Sequence, residues 1–110
     1  VRLVDVRKAL EGRRYAANGS VVLQVRDRFC PWNEGRFELE GGPEGATCGS
    51  TRAGPDLACR VEDLAAAFLG GVSLRELHRA GRVEEERDGA LARADSMFAW
   101  DPAPWCSFMF

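Results

Sequence analysis

Histidine and lysine each occur once in this chain of 110 residues, and no two of its four cysteines stand close together. Cys30, Cys48, Cys59 and Cys106 give neither a zinc knuckle nor a redox Cys-x-x-Cys. No apolar run approaches the roughly 18 residues that a membrane helix needs. No charged start followed by an apolar segment marks a signal peptide, so free, mostly buried thiols in a reducing cytoplasm are expected. No basic stripe with interleaved aromatics is present, and a net charge of -2 with a pI near 5.4 argues against nucleic acid as a partner. Arg13-Arg14 is too short to count, and the near-total use of arginine over lysine reads as genome composition. Val1 is not an initiator methionine, and the chain opens straight onto an apolar pattern, so a piece of something longer is expected.

What is there suffices for a single domain, 1–110, with one hydrophobic core and no need of metal or crosslinks. Asp5 can cap a short helix with Val6, Ala9 and Leu10 on one face, and Gly12 is placed to end it in the left-handed conformation. Asn18-Gly19 signals a turn, and Ser20 to Asp27 alternates as a half-buried strand. Cys30 to Gly35 reads as a loop, Arg36 to Glu40 as a strand with Phe37 and Leu39 inward, and Ala46 to Thr51 as another. Leu57, Cys59 and Val61 form the inward face of a further strand, and the turn spacing predicts an antiparallel meander.

After Arg60 the apolar period changes. Val61, Leu64, Ala65, Phe68 and Leu69 follow helical spacing, with Glu62 and Asp63 at the helix start and Gly70-Gly71 as its stop. Ser73 with Glu76 forms a capping box for a second helix to Ala80, Val72 can staple onto Leu77, and Gly81 ends it. Arg82 to Glu86 reads as an edge strand. Asp88 is expected to cap a third helix bearing Leu91, Ala94 and Phe98, which Pro102 and Pro104 prevent from continuing. The predicted class is α+β, an antiparallel sheet with helices packed on one face.

Little in the interior points to catalysis. His78 has no cysteine or carboxylate arranged as a partner, and Ser73 is accounted for as a cap. Glu84-Glu85-Glu86-Asp88 reads as a charged edge that discourages strand pairing, and the paired glycines do not form a phosphate loop. The exception is the ending, Trp100 to Phe110, which carries two of the three tryptophans and closes on Trp105-Cys106-Ser107-Phe108-Met109-Phe110. So apolar a tail is expected to dock, because in water it would expose a large patch. Docking would carry the α-carboxylate of Phe110, with a reference pKa of about 3.5, against an apolar surface. Closure of a core or an interface is the simpler role for these residues.

The series Leu3-Val4-Asp5-Val6, Ala9-Leu10, Arg13-Arg14-Tyr15, Val22-Leu23-Gln24-Val25, Gly35-Arg36-Phe37, Asp56-Leu57, Asp63 to Gly71 and Gly81-Arg82-Val83, with the ending Ala103-Pro104-Trp105-Cys106 through Phe110, resembles the C-terminal domain of the enhanced-intracellular-survival (Eis) family of GNAT acetyltransferases. The resemblance covers essentially the whole chain. It implies a sterol-carrier-protein-like domain that follows an N-terminal GNAT region on the same chain and helps to form the pocket for an amine substrate of the aminoglycoside type. It further implies acetyl-CoA as the cofactor of the parent protein, bound outside this domain, a homo-oligomeric hexamer, and Phe110 as the catalytic residue, through its C-terminal carboxylate. A tyrosine of the GNAT region is the general acid that the family implies. The isolated domain is not expected to act alone. Two other readings stay open: a binding module for a lipid or other apolar ligand, and an oligomerisation domain.

Overall fold

In the computed structural model residues 5–28, 30–68 and 72–99 are described, in the order α1 (Val6–Glu11), β1 (Gly19–Arg26), a 3-10 turn (Pro31–Asn33), β2 (Gly35–Gly42), β3 (Gly45–Ser50), β4 (Leu57–Arg60), α2 (Val61–Phe68), α3 (Leu74–Arg79), β5 (Val83–Glu85) and α4 (Ala90–Phe98). The α+β class holds, and the helices pack on one face of a five-stranded sheet in the order β3-β2-β1-β4-β5. The predicted meander is real only for β1, β2 and β3. Instead of adding beside β3, β4 crosses to the other edge of β1 and pairs with it in parallel, Leu23 opposite Leu57 and Val25 opposite Cys59. The sheet is therefore mixed, with β5 antiparallel on β4. Burial explains the choice: Leu57 and Cys59 join Val21, Leu23 and Val25 on the helix-covered face, an arrangement that local turn chemistry cannot specify.

The crossing is held by Asp56, read from sequence as a turn residue. Its backbone N–H donates to Val22 O (2.8 Å), its carboxylate accepts from Val22 N–H (2.8 Å), and its carbonyl accepts from Glu86 N–H (2.9 Å). One buried residue thus joins the central strand to the segment after β5.

Alternation sorts the sheet residues. Val21, Leu23, Val25, Phe37, Leu39, Leu57, Cys59 and Val83 enter the core with α1, α2, α3 and α4, while Arg36, Glu38, Glu40, Arg60 and Glu84 stay exposed on the opposite face. Gly41 lies under Tyr15, where an added Cβ would come within 2.6 Å of the ring.

Several local expectations hold. Asp5 caps α1 by accepting from Lys8 N–H (3.1 Å), Ser73 caps α3 by accepting from Glu76 N–H (3.1 Å), and Gly81 has φ +76°. Gly12 does not: it closes α1 in a right-handed conformation, φ -80°, with its N–H donating to Lys8 O, so no left-handed cap is needed. Nor does Asp88 cap α4. The N-cap is Gly89 at φ +84°, and Glu85 supplies the side-chain acceptor, to Leu91 N–H at 2.9 Å. The Gly70-Gly71 stop, the prolines at 102 and 104 and the aromatic tail lie outside the described residues.

Candidate functional site

Phe110 also lies outside the described residues; the point from which its segment departs does not. The last turn of α4 ends at Phe98, and there the short connection from α1 to β1 wraps around it. Arg13, Arg14 and Tyr15 alternate inward, outward, inward, so Arg13 shares a buried face with Tyr15 while Arg14 faces solvent. Tyr15 is fixed at both ends. Its N–H donates to Gly42 O (3.0 Å), its hydroxyl donates to Leu10 O (2.8 Å), and the next residue, Ala16, donates its N–H to Met97 O (2.9 Å).

The guanidinium of Arg13, 5% exposed, donates to Phe68 O at 2.6 Å and to Phe98 O at 2.9 Å. These are the final carbonyls of α2 and α4, at helix ends where intrahelical donors run out and the backbone dipoles favour a cation. Three rings enclose the charge, with Arg13 Cζ 5.5 Å from the centroid of Tyr15, 5.3 Å from Phe68 and 5.2 Å from Phe98. Tyr15 and Phe98 meet edge to face at 5.3 Å. Burial pushes the Tyr15 hydroxyl well above the ordinary tyrosine range, with Arg13 pulling it back only in part. Tyr15 is thus a fixed hydrogen-bond donor at neutral pH.

Among the described residues, other chemistry-bearing side chains are not gathered into a reacting group. Burial pushes the thiols of Cys48 and Cys59 up to about 12, so neither supplies a thiolate nucleophile at neutral pH. His78 is exposed in the last turn of α3. Among the described residues no group of three or more His, Cys, Asp or Glu could hold a metal ion. A groove of about 310 Å³ opens on the sheet beside β4, lined by Arg26, Cys59, Arg60, Glu84 and the Asp63–Arg82 ion pair (2.7 Å). A second lies over Glu38, Glu40, Thr47 and Ser50. Neither lining is apolar enough to hold a lipid chain, and neither has the strand, glycine loop and helix start that would cradle the phosphates of acetyl-CoA.

On the loop between β1 and β2, Asn33 (1% exposed) accepts from Val6 N–H at 2.9 Å and donates to Asp27 at 2.9 Å, and Asp27 accepts from Cys30 N–H at 3.0 Å. This buried network fixes a loop whose Trp32 is 62% exposed.

Sequence reasoning passed over Arg13, dismissed as half of a short basic pair, and Asn33, read as loop. For Arg13 a signal existed, since its i+2 spacing from Tyr15 in an extended segment places both on one face. For Asn33 none did.

The family profile described as the sterol carrier protein domain matches residues 6–107. An uncharacterized N-acetyltransferase of Streptomyces avermitilis is 59% identical over 105 residues, 96% of this chain and 26% of that protein. One from Streptomyces coelicolor is 55% identical, over 96% of this chain and 25% of its own length. Among solved structures, Eis1 from Mycobacterium abscessus superposes with TM-score 0.78 at 31% identity, covering 96% of this chain and 26% of that one. A GCN5-related N-acetyltransferase from Anabaena variabilis gives TM-score 0.83 at 26% identity, over 91% of this chain and 26% of that one. The chain spans about a quarter of the length of the relatives it matches.

Proposed function

This chain belongs to the sterol carrier protein domain family, and from that premise we propose that it is the C-terminal domain of an acetyl-CoA-dependent amine N-acetyltransferase, completing the amine pocket and supplying the Phe110 carboxylate. The observation that carries this reading is the 59% identity to a protein named N-acetyltransferase that is about four times longer. Aminoglycosides and other polyamines are the substrate class we assign, and a cytoplasmic homo-oligomer the form in which the whole protein works.

An ammonium has no lone pair with which to attack, so the amine must first lose a proton. A carboxylate fixed in a partly desolvated cleft attracts the cation and gains proton affinity, which suits it to take that proton. Acetyl-CoA, bound by the rest of the longer chain, supplies the acetyl group as a thioester. In this domain the work is positional. In this reading Phe108 and Phe110 would anchor the terminus, while the Arg13 cage gives the last turn of α4 a fixed frame.

The test compares acetyl transfer by the longer chain ending at Phe110 with transfer by the same chain extended by one glycine after Phe110. The extension moves the charge and keeps the aromatics. Turnover is expected to fall by about 100-fold or more, the scale of losing an effective proton acceptor, with folding intact. An unchanged rate and pH profile would remove Phe110 from the chemistry.

A further inference from the structure

We propose that the groove at the carboxyl ends of β1 and β4 is a binding site for a phosphoryl group, held by Arg26, Arg60 and Arg82. This goes beyond the acetyl-transfer reading and does not depend on it.

The topology builds a row of arginines. β1 and β4 run parallel and each ends on one, Arg26 and Arg60, which the register places directly opposite each other. On the other side of β4, Val83 pairs with Cys59, so Arg82, one position earlier, comes beside Arg60. All three line the groove of about 310 Å³.

Like charges set side by side on a sheet are destabilising. Carboxylates relieve this row only in part. Buried Asp63 accepts from Arg82 Nε at 2.7 Å, which fixes that guanidinium and leaves its two terminal nitrogens for another acceptor. Glu84, opposite Ala58, also lines the groove. Among the described residues Arg26 and Arg60 form no ion pair, so three arginines face two carboxylates and the groove stays positive.

The donor set selects the anion. Each planar guanidinium fork matches two oxygens. Three forks exceed what the two oxygens of a carboxylate accept, whereas a phosphoryl group offers three terminal oxygens and a charge of about -1.5 to -2 at pH 7. The groove lies at the lower end of small-ligand pockets, about 300–1,000 Å³, a size that suits free phosphate or a small phosphorylated molecule. Recognition is by side chains and not by a glycine loop. The start of α2 adds little, because Glu62 and Asp63 already occupy its first turn.

The experiment uses the longer chain ending at Phe110 as wild type, Arg26→Gln, Arg60→Gln, Arg60→Lys and, as a control in the β3–β4 loop, Arg52→Gln. Phenylglyoxal modification of arginine, read by peptide mass mapping, follows occupancy of the groove. Pyrophosphate, inorganic phosphate, glycerol 3-phosphate and acetate are titrated at constant ionic strength. In wild type, pyrophosphate is expected to protect Arg26 and Arg60 with a midpoint of about 1 mM or lower, and to leave exposed Arg52 unprotected. Arg60→Gln should raise the midpoint at Arg26 by about 10-fold or more, Arg26→Gln should do the same at Arg60, and Arg52→Gln should change neither. Arg60→Lys keeps the charge and loses the fork, so it too should weaken protection. Without anion, Arg60→Gln should melt no lower than wild type, because it removes repulsion.

Tighter binding of glycerol 3-phosphate than of inorganic phosphate would identify a phosphorylated molecule as the ligand, and the reverse free phosphate. No protection by any phosphate would overturn the proposal, as would acetate protecting equally well or protection unchanged in the glutamine variants. A melting point about 4 °C or more lower in Arg60→Gln without anion would also overturn it, by making the row a stability element.

Discussion

Removing the Asp56 carboxylate should show what holds the crossing between the two parts of the sheet. In Asp56→Ala the buried Val22 N–H loses its 2.8 Å acceptor, and an unmet buried donor costs about 1–3 kcal/mol. The two ion pairs count for little, because Arg87 at 3.3 Å is 63% exposed and Arg93 at 3.5 Å is 41% exposed, and such pairs contribute about 0–1 kcal/mol each. The sum is about 2–3 kcal/mol. For a chain of this size that corresponds to a fall in Tm of about 10 °C. Asp56→Asn keeps an acceptor for Val22 and loses only the charge, so it should cost about 1 kcal/mol and roughly 4 °C. Urea unfolding followed by circular dichroism, with thermal melts in parallel, measures both. If Asn proves as damaging as Ala, the ion pairs and not the Val22 hydrogen bond carry the effect, and the reasoning fails.

Further outcomes follow from the same geometry. Iodoacetamide at pH 8 should modify partly exposed Cys30 far faster than Cys48 or Cys59, whose buried thiols stay protonated; comparable rates at all three, read by peptide mass mapping, would contradict this. Because folding raises those two thiols from 9.0 to about 12, the folded state holds protons that the unfolded chain gives up first. Their contribution is therefore fully present below pH 9 and drains away between pH 9 and 12, so urea midpoints should fall as pH rises through that window. Gly41→Ala drives a methyl group into the Tyr15 ring and should cost about 1–3 kcal/mol in a urea titration; a neutral result would mean that the ring can retreat.

The sequence was legible where a residue's role is local. Asp5 and Ser73 cap because their side chains reach an N–H within one turn, and Phe37 and Leu39 point inward because alternation needs only neighbours. Legibility stopped where the partner is distant in the chain. That β4 would choose the edge of β1 depended on Asp56 meeting Val22, thirty-four positions away, and nothing in Gly54-Pro55-Asp56 announces it. Asp88 misled for a similar reason, since Glu85 already met the need at the start of α4 and left Asp88 exposed. At the candidate site, Phe68 and Phe98 were visible as apolar helix positions. That a cation would sit between them was not, because composition rules place arginine outside and only the third dimension supplies the two carbonyls that bring it in.

The interleaved strand order also shapes how the domain comes into being. During synthesis β1, β2 and β3 emerge first and can pair with short-range contacts alone, leaving one side of β1 with an unsatisfied row of backbone donors and acceptors. That side is filled only when residues 57–60 arrive. Until then the strand that ends at the centre of the finished sheet is an open edge of the nascent one, of the sticky kind that finished sheets avoid. Pairing of β4 with β1 spans a longer stretch of chain than the β1–β2 and β2–β3 pairings, so it is expected to form after them.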